Sequence, residues 1–428
     1  MKKIYIFLIF IICADFSLSS EPTAYNYTGY SAKFMNKSIN YSTSPMIQQS
    51  ENDSSALLYV SHRKNDYYSS STDYTVGNTT IQKEGISTNL ENSLSYCINS
   101  AVLDSGLQIR LSNVSVYTNA EGAIGVCVTN GGDVRVYESS VSTQSKNSIA
   151  IHATGGSINV HDSFIYTSGE NSPALSAQKG SRIYCKDCQL HTTNKGSPLI
   201  QSFGGIEFRN SYGLAENSQT IIADGRMTIT IRNSTLNCSW KANGDDISDA
   251  SGILLKNTSF NADEDQTSST TFDMDQSTLE IKSETAPMIL VDDAYIDFYI
   301  KNSKIKSKIF LKLKKANSTT SIVFVNCDIE GDIIGDEKSH LNILLTKTKF
   351  VGAINPDGKA SYVKFELDKN SNITLTGNSN FDEFYNMDQT NSNVNKNSFS
   401  LSGLEEEDSC SNLLISKIML ILLAYLLI

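Results

Sequence analysis

The chain has one tryptophan, six prolines and five histidines in 428 residues, and only 19% of its residues are charged. No window carries apolar residues at i, i+3, i+4 and i+7 between caps. That absence, with the low charge, excludes a coiled coil and argues against a large helical enzyme. Basic residues are outnumbered, 35 Lys and Arg against 46 Asp and Glu, for a net charge of −11. Nucleic acid and anionic membrane surfaces attract basic patches, so neither is an expected partner. What the chain does have is Ser, Asn and Thr for polarity and a 39% apolar fraction. That fraction is enough for a narrow core if the apolar residues are well patterned. The acidity is diffuse except for Glu405-Glu406-Glu407-Asp408, which reads as a solvated spacer.

Both ends look like addresses. Lys2 and Lys3 precede an apolar run from Ile4 to Ile12, and Ser17-Leu18-Ser19 offers small-x-small residues, so residues 1–19 read as a secretory signal peptide. Residues 20–50 are a polar, Tyr- and Asn-rich lead-in. Residues 391–412 read as a polar stalk, and 413–428 as a hydrophobic C-terminal tail with no basic flank after it. A GPI attachment signal fits this ending best, with Ser402, Ser409 and Ser411 as candidate lipid-anchor residues; a short membrane anchor is the alternative. Eleven N-x-Ser/Thr sequons accompany these signals and are candidate glycosylation sites: Asn26, Asn36, Asn40, Asn52, Asn78, Asn113, Asn233, Asn237, Asn257, Asn317 and Asn372.

Between the ends a unit of about 24 residues recurs. Its clearest copies open at Gly131 (GGDVRVYESSVSTQSKNSIAIHAT), Gly155 (GGSINVHDSFIYTSGENSPALSAQK) and Gly180 (GSRIYCKDCQLHTTNKGSPLIQSF). Aligned, they put Val134, Ile158 and Ile183 in one column and Val136, Val160 and Cys185 in the next. Val141, Ile165 and Leu190 form a third column, and Ile151, Leu175 and Ile200 a fourth. Period-2 alternation within each run means strands with one buried face. Three short strands per unit make one coil of a solenoid, and coils stacked about 4.8 Å apart would bury a continuous aliphatic column. The expected fold is therefore all-β, a single-stranded right-handed parallel β-helix of roughly a dozen coils over residues 51–390. Asn237 to Asp249 and Asn261 to Ser269 break the period and read as loops.

The motifs ENDSSALL, NSAVLDSG, the NSPAL turn from Asn171, SGILLKN, and the closing series IEGDII, FVGAI and ITLTGNSNF resemble those of exported right-handed β-helix surface proteins, pertactin-like or adhesin-like. The resemblance runs from Ser54 to Asn386. It departs at Asn372-Ile373, where the closing motif usually carries an aromatic, and no outer-membrane barrel follows. It implies a fold and a surface address, and carries no catalytic motif.

β-Helices also host polysaccharide lyases and hydrolases, which need clustered carboxylates on neighbouring coils. The outward column Arg110, Arg135, Asn159, Tyr184, Glu207 is mixed, and Asp245-Asp246 and Asp292-Asp293 are chain neighbours that point to opposite faces. His152 and Cys127 share an outward column one coil apart and read as a solvent-facing pair, too few for a metal site. Cys185-x-x-Cys188 spans a strand end and a turn, not a helix N-terminus, so a local disulfide or packed thiols are expected rather than redox or zinc chemistry. The column Thr118, Thr143, Thr167, Thr192 reads as a turn ladder. No catalytic residue, metal or cofactor is assigned. The expectation is a non-enzymatic glycosylated surface protein, an adhesin or coat antigen, whose partners are ligands on host, matrix or neighbouring cells. A polysaccharide-binding or polysaccharide-cleaving protein is the alternative.

Overall fold

The computed structural model describes residues 58–61, 73–84, 97, 99–106, 108–240, 249–257, 270–314 and 319–402. The signal peptide, the lead-in, the hydrophobic tail and the candidate residues Asn26, Asn36, Asn40, Asn52, Asn317, Ser409 and Ser411 lie outside these. The described chain is a right-handed parallel β-helix of about 11 turns. Every paired strand runs parallel to its neighbour in the next coil.

One coil shows the construction. Asp133–Tyr137 belongs to sheet 1, Ser140–Thr143 to sheet 2 and Ile151–Thr154 to sheet 3. The registers match the sequence columns: Val134 pairs with Ile158 and Ile158 with Ile183, Val141 with Ile165, and Ile151 with Leu175. All of these side chains are fully buried or nearly so. Burying one such aliphatic contributes about 1.5–3 kcal/mol, while ordering a residue costs about 1–2 kcal/mol in backbone entropy. A lone coil with a handful of core residues therefore cannot fold, and each coil depends on the next. Toward the C-terminus the same columns take larger side chains. Phe272 and Phe298 pack with tilted rings 5.5 Å between centres, and Phe365 continues the first core column of sheet 1.

The three corners have different chemistry. Between sheets 1 and 2, one residue per coil takes a left-handed conformation: Glu138, Asp162, Asp187, Asn210, Asn233, Gln276, Asn302 and Asn326 all have φ between 47° and 56°. The next residue is a hydroxyl or thiol that ties the stack together. Ser277 Oγ donates to the Asp275 carbonyl at 2.7 Å and accepts the Ser234 N–H at 3.1 Å; the Ser277 N–H in turn donates to Ser303 Oγ at 3.1 Å. The ladder recurs through Ser139, Ser163, Cys188, Ser211, Ser234, Ser303, Cys327, Thr348 and Ser371. A second ladder, Ser148, Ser172 and Ser197, lines the corner between sheets 2 and 3. The corner before sheet 1 uses glycine: Gly131, Gly155 and Gly180 have φ of 78–83°, and a Cβ on Gly156 would strike the Gly132 carbonyl.

Two boundaries differ from the sequence reading. Val394–Asn395 and Leu401–Ser402 pair with Ile373–Thr374 and Ser379–Asn380, so residues 391–402, read as stalk, complete the last coil. Polar side chains conceal this, because the end coil has few apolar neighbours to bury. Asn237, read as a loop start, lies in the sheet 2 strand Thr235–Ser239; the period-breaking insertion follows that strand.

Candidate functional site

Sheet 3 has an unusual outer face. A sheet with one solvated face alternates apolar and polar residues, whereas one covered on both sides reads as a continuous apolar run. Sheets 1 and 2 alternate. In sheet 3, Val126–Thr129, Ile253–Lys256 and Ile289–Asp292 do not, because their outward residues are also buried. The register puts Leu103, Cys127, His152, Ser176, Gln201, Ile222, Leu254 and Leu290 in one outward column.

The N-terminal part of that column is sealed. Cys97 is disulfide-bonded to Cys127, and with Leu103, Ile124 and flanking Ile149 they form a small second core outside the helix. This corrects the expectation that Cys127 and His152 face solvent. They do point away from the main core, but Cys127 is fully buried and His152 is 6% exposed. Burial pulls the His152 pKa down to about 4, against a backbone hydrogen bond with Ser176 that raises it. The Cys97–Cys127 bond links an outward strand position to a segment outside the repeat, so the repeat pattern gave no register for it.

Cys185 and Cys188 are separate thiols in the structure, the packed alternative to the expected local disulfide. Cys185 points into the sheet 1 core column, and burial raises its pKa. Cys188 replaces a ladder serine, its thiol donating to the Lys186 carbonyl at 3.1 Å. Cys327 fills the same role on the Val325 carbonyl at 3.3 Å, with its pKa pushed up mainly by burial to about 11. Cys238 is buried at the end of a sheet 2 strand beside Trp240, and burial raises its pKa too. The threonine column also turns inward: all four residues are fully buried, and Thr143 and Thr167 donate to the Ser148 and Ser172 carbonyls at 2.6 Å.

Further along sheet 3 the cover opens into a groove of about 610 Å³. Its floor is the outward column itself, Gln201, Ile222 and Leu254, beside Phe203, Asp224 and Lys256 from the next outward position. Trp240 and Asp249, which flank the period-breaking insertion, and Glu170, Asn171, Lys195 and Gly196, from the same sheet 2–3 corner in earlier coils, complete the lining. The charges are largely compensated. Lys256 Nζ lies 2.7 Å from one Asp249 oxygen and Lys314 Nζ 3.8 Å from the other, while Lys314 also reaches Asp292 at 3.6 Å. Gln219 Nε2 donates to the Asp249 carbonyl at 2.9 Å, holding the end of the insertion against the corner.

Among the described residues no group of three or more His, Cys, Asp and Glu could hold a metal ion. Of the Asp292-Asp293 pair, Asp292 faces Lys314 at 3.6 Å and Asp293 takes a left-handed turn at φ 57°. The outward sheet 1 column Arg110, Arg135, Asn159, Tyr184 and Glu207 is in register as read, and is tied up locally: Arg110 covers the Tyr137 ring at 4.3 Å, Arg135 pairs with Asp133 at 3.0 Å, and Glu207 pairs with Arg209. The groove residues were not assembled from sequence. The available signal was the loss of alternation in ILLK and ILVD, together with the single tryptophan at the mouth of the insertion.

Comparison with family models, with curated proteins and with solved structures found no match to this chain.

Proposed function

We propose that this protein is a non-enzymatic cell-surface β-helix, adhesin-like in role, that holds an uncharged segment of an extracellular glycan in the groove on sheet 3. The observation that carries the reading is the groove's composition. It combines apolar side chains on its floor (Ile222 and Leu254), two aromatics (Trp240 and Phe203), three side-chain amides (Asn171, Gln201 and Gln219) and a Lys256–Asp249 ion pair. Sugars present apolar CH faces that pack on aromatic rings and hydroxyls that bond amides and carboxylates. A charged ligand would compete with the Lys256–Asp249 pair, whereas a neutral one can bond to its outer edge. Binding is favoured over cleavage because both Asp249 oxygens face lysines, which makes this carboxylate an anchor of the insertion. The address rests on the N-terminal signal, the sequons and the C-terminal tail, with a GPI anchor or a short membrane anchor holding the rod at the outer face of the plasma membrane.

Trp240 is the chain's only tryptophan, so its fluorescence reports on the groove alone. The purified ectodomain should bind members of a panel of neutral glycans, with a saturable change in tryptophan emission, and Trp240→Ala should abolish capture while leaving the circular dichroism unchanged. Binding only to acidic glycans, or binding that survives Trp240→Ala and a sequon installed on the groove rim by Lys195→Asn, would refute the site. Cleavage of any glycan in the panel would refute the non-enzymatic reading.

A further inference from the structure

Five sequons have described side chains, and the coil geometry sorts them. Asn113 and Asn233 are exposed at the left-handed corner between sheets 1 and 2, with φ of 56° and 47°. Asn372 is exposed on the outer face of sheet 2. Asn237 and Asn257 differ: both are half-buried, and each has a buried Oδ1 with no hydrogen-bond partner. Asn237 lies between Leu214 and Glu280 in the sheet 2 register, its Nδ2 donating to the Tyr212 hydroxyl at 3.2 Å. Asn257 directly follows Lys256 of the groove.

We infer that Asn113, Asn233 and Asn372 carry N-glycans and that Asn237 and Asn257 do not, so that one side of the rod is clad in glycan and the sheet 3 groove stays bare. This rests on the secretory reading given above. In the transfer, Nδ2 forms a bond to the anomeric carbon of a diphosphate-activated glycan donor; the sugar–diphosphate bond breaks with its electron pair leaving on the diphosphate, and one of the two Nδ2 protons is lost. The remaining proton lets Asn233 keep its 3.0 Å bond to Asn210 Oδ1. At Asn237 and Asn257 the side chain is half-buried with its Oδ1 enclosed, so either would have to swing away from the coil to make room for the sugar. Transfer precedes folding, so chains modified at either residue could not close those coils and would be lost before secretion.

The three sites are also evenly placed. Asn113, Glu138, Asp162, Asp187, Asn210 and Asn233 occupy successive coils, five steps. From Asn233, sheet 2 runs Thr235, Thr278, Lys304, Asp328, Lys349 and Asn372, again five steps. At about 4.8 Å per coil each interval is about 24 Å. Among the described sequons the cladding thus follows one flank of the rod, away from sheet 3.

The test is site occupancy on the full chain secreted from a eukaryotic host, read by enzymatic deglycosylation in heavy-oxygen water and peptide mass spectrometry. The expected result is heavy Asp at positions 113, 233 and 372 and none at 237 or 257, with Asn113→Gln, Asn233→Gln and Asn372→Gln each removing one glycan's mass from the intact protein. Heavy Asp at 237 or 257 matching the other three, or an unmodified residue among the three, overturns the assignment. The remaining sequons separate the two ways it can fail. Glycan at those positions alone sinks the face assignment and keeps the secretory reading, whereas a secreted or retained chain with no glycan at any sequon sinks both.

Discussion

Replacing Ser277 by alanine tests whether the corner ladder holds the coils together. Ser277 is 3% exposed, accepts the Ser234 N–H and donates to the Asp275 carbonyl. Alanine leaves the buried Ser234 N–H without an acceptor, at about 1–3 kcal/mol, and removes a donated bond worth about 0.5–1.5 kcal/mol net. The expected loss is therefore about 2–4 kcal/mol, with almost no change in apolar packing. The chain supplies its own control: Cys188 and Cys327 occupy the same ladder with a thiol, and Thr348 does so with a threonine hydroxyl. Ser277→Thr should be close to wild type, and Ser277→Cys should fall between it and alanine because sulfur is the weaker acceptor. Stacked coils need not unfold as one unit. The local readout is therefore hydrogen exchange at the Ser234 amide, which should accelerate most in the alanine variant, with the urea midpoint as the global readout. Unchanged Ser234 exchange in Ser277→Ala, or a cysteine variant less stable than alanine, would refute the ladder as a source of stability.

Three further outcomes follow from the same geometry. Val136→Asp puts a charge in a fully buried core column; it should cost several kcal/mol and abolish secretion, and unchanged yield and melting would disprove the register. His152 has a folded pKa of about 4, below the ordinary 6.5, so the unfolded chain binds the extra proton more readily. That contribution is fully present above pH 6.5 and is lost as pH falls toward 4, by about 3 kcal/mol in all; His152→Gln should flatten that part of the stability profile, and an unaltered slope would count against the buried neutral ring. The Cys97–Cys127 bond closes a span of 30 residues, so reduction should cost about 3–4 kcal/mol and open the N-terminal coils first. A peptide map without this link, or a denaturation curve indifferent to reductant, would contradict it.

The aliphatic columns were legible in the sequence because they are local in pattern: Val134, Ile158 and Ile183 recur at the repeat length, and period-2 alternation sets their face without any knowledge of neighbours. The ladder was partly legible, since Cys188 visibly shares a turn position with Ser139 and Ser163, but the sequence does not say that each hydroxyl bonds the coil before it. The inward turn of the threonine column follows from the same alternation, since Thr143 and Thr167 stand two residues after Val141 and Ile165; which carbonyls their hydroxyls bond was not legible. The outward side of sheet 3 was misread at His152 and Cys127 for a definite reason. Alternation tells which residues leave the core, not whether something outside the helix covers them.

The sequence by itself determined the repeat, its register and hence the β-helix, because stacking identical coils is the only way each can bury its inner face. Only the tertiary structure decided what lies on the outside of that helix. The disulfide to Cys97, the burial of His152, the completion of the last coil by residues 391–402 and the meeting of Trp240 and Asp249 over Gln201, Ile222 and Leu254 all join positions with no fixed offset in the repeat. They depend on where breaks in the period fold back onto the rod, and so on contacts between segments that carry no common pattern.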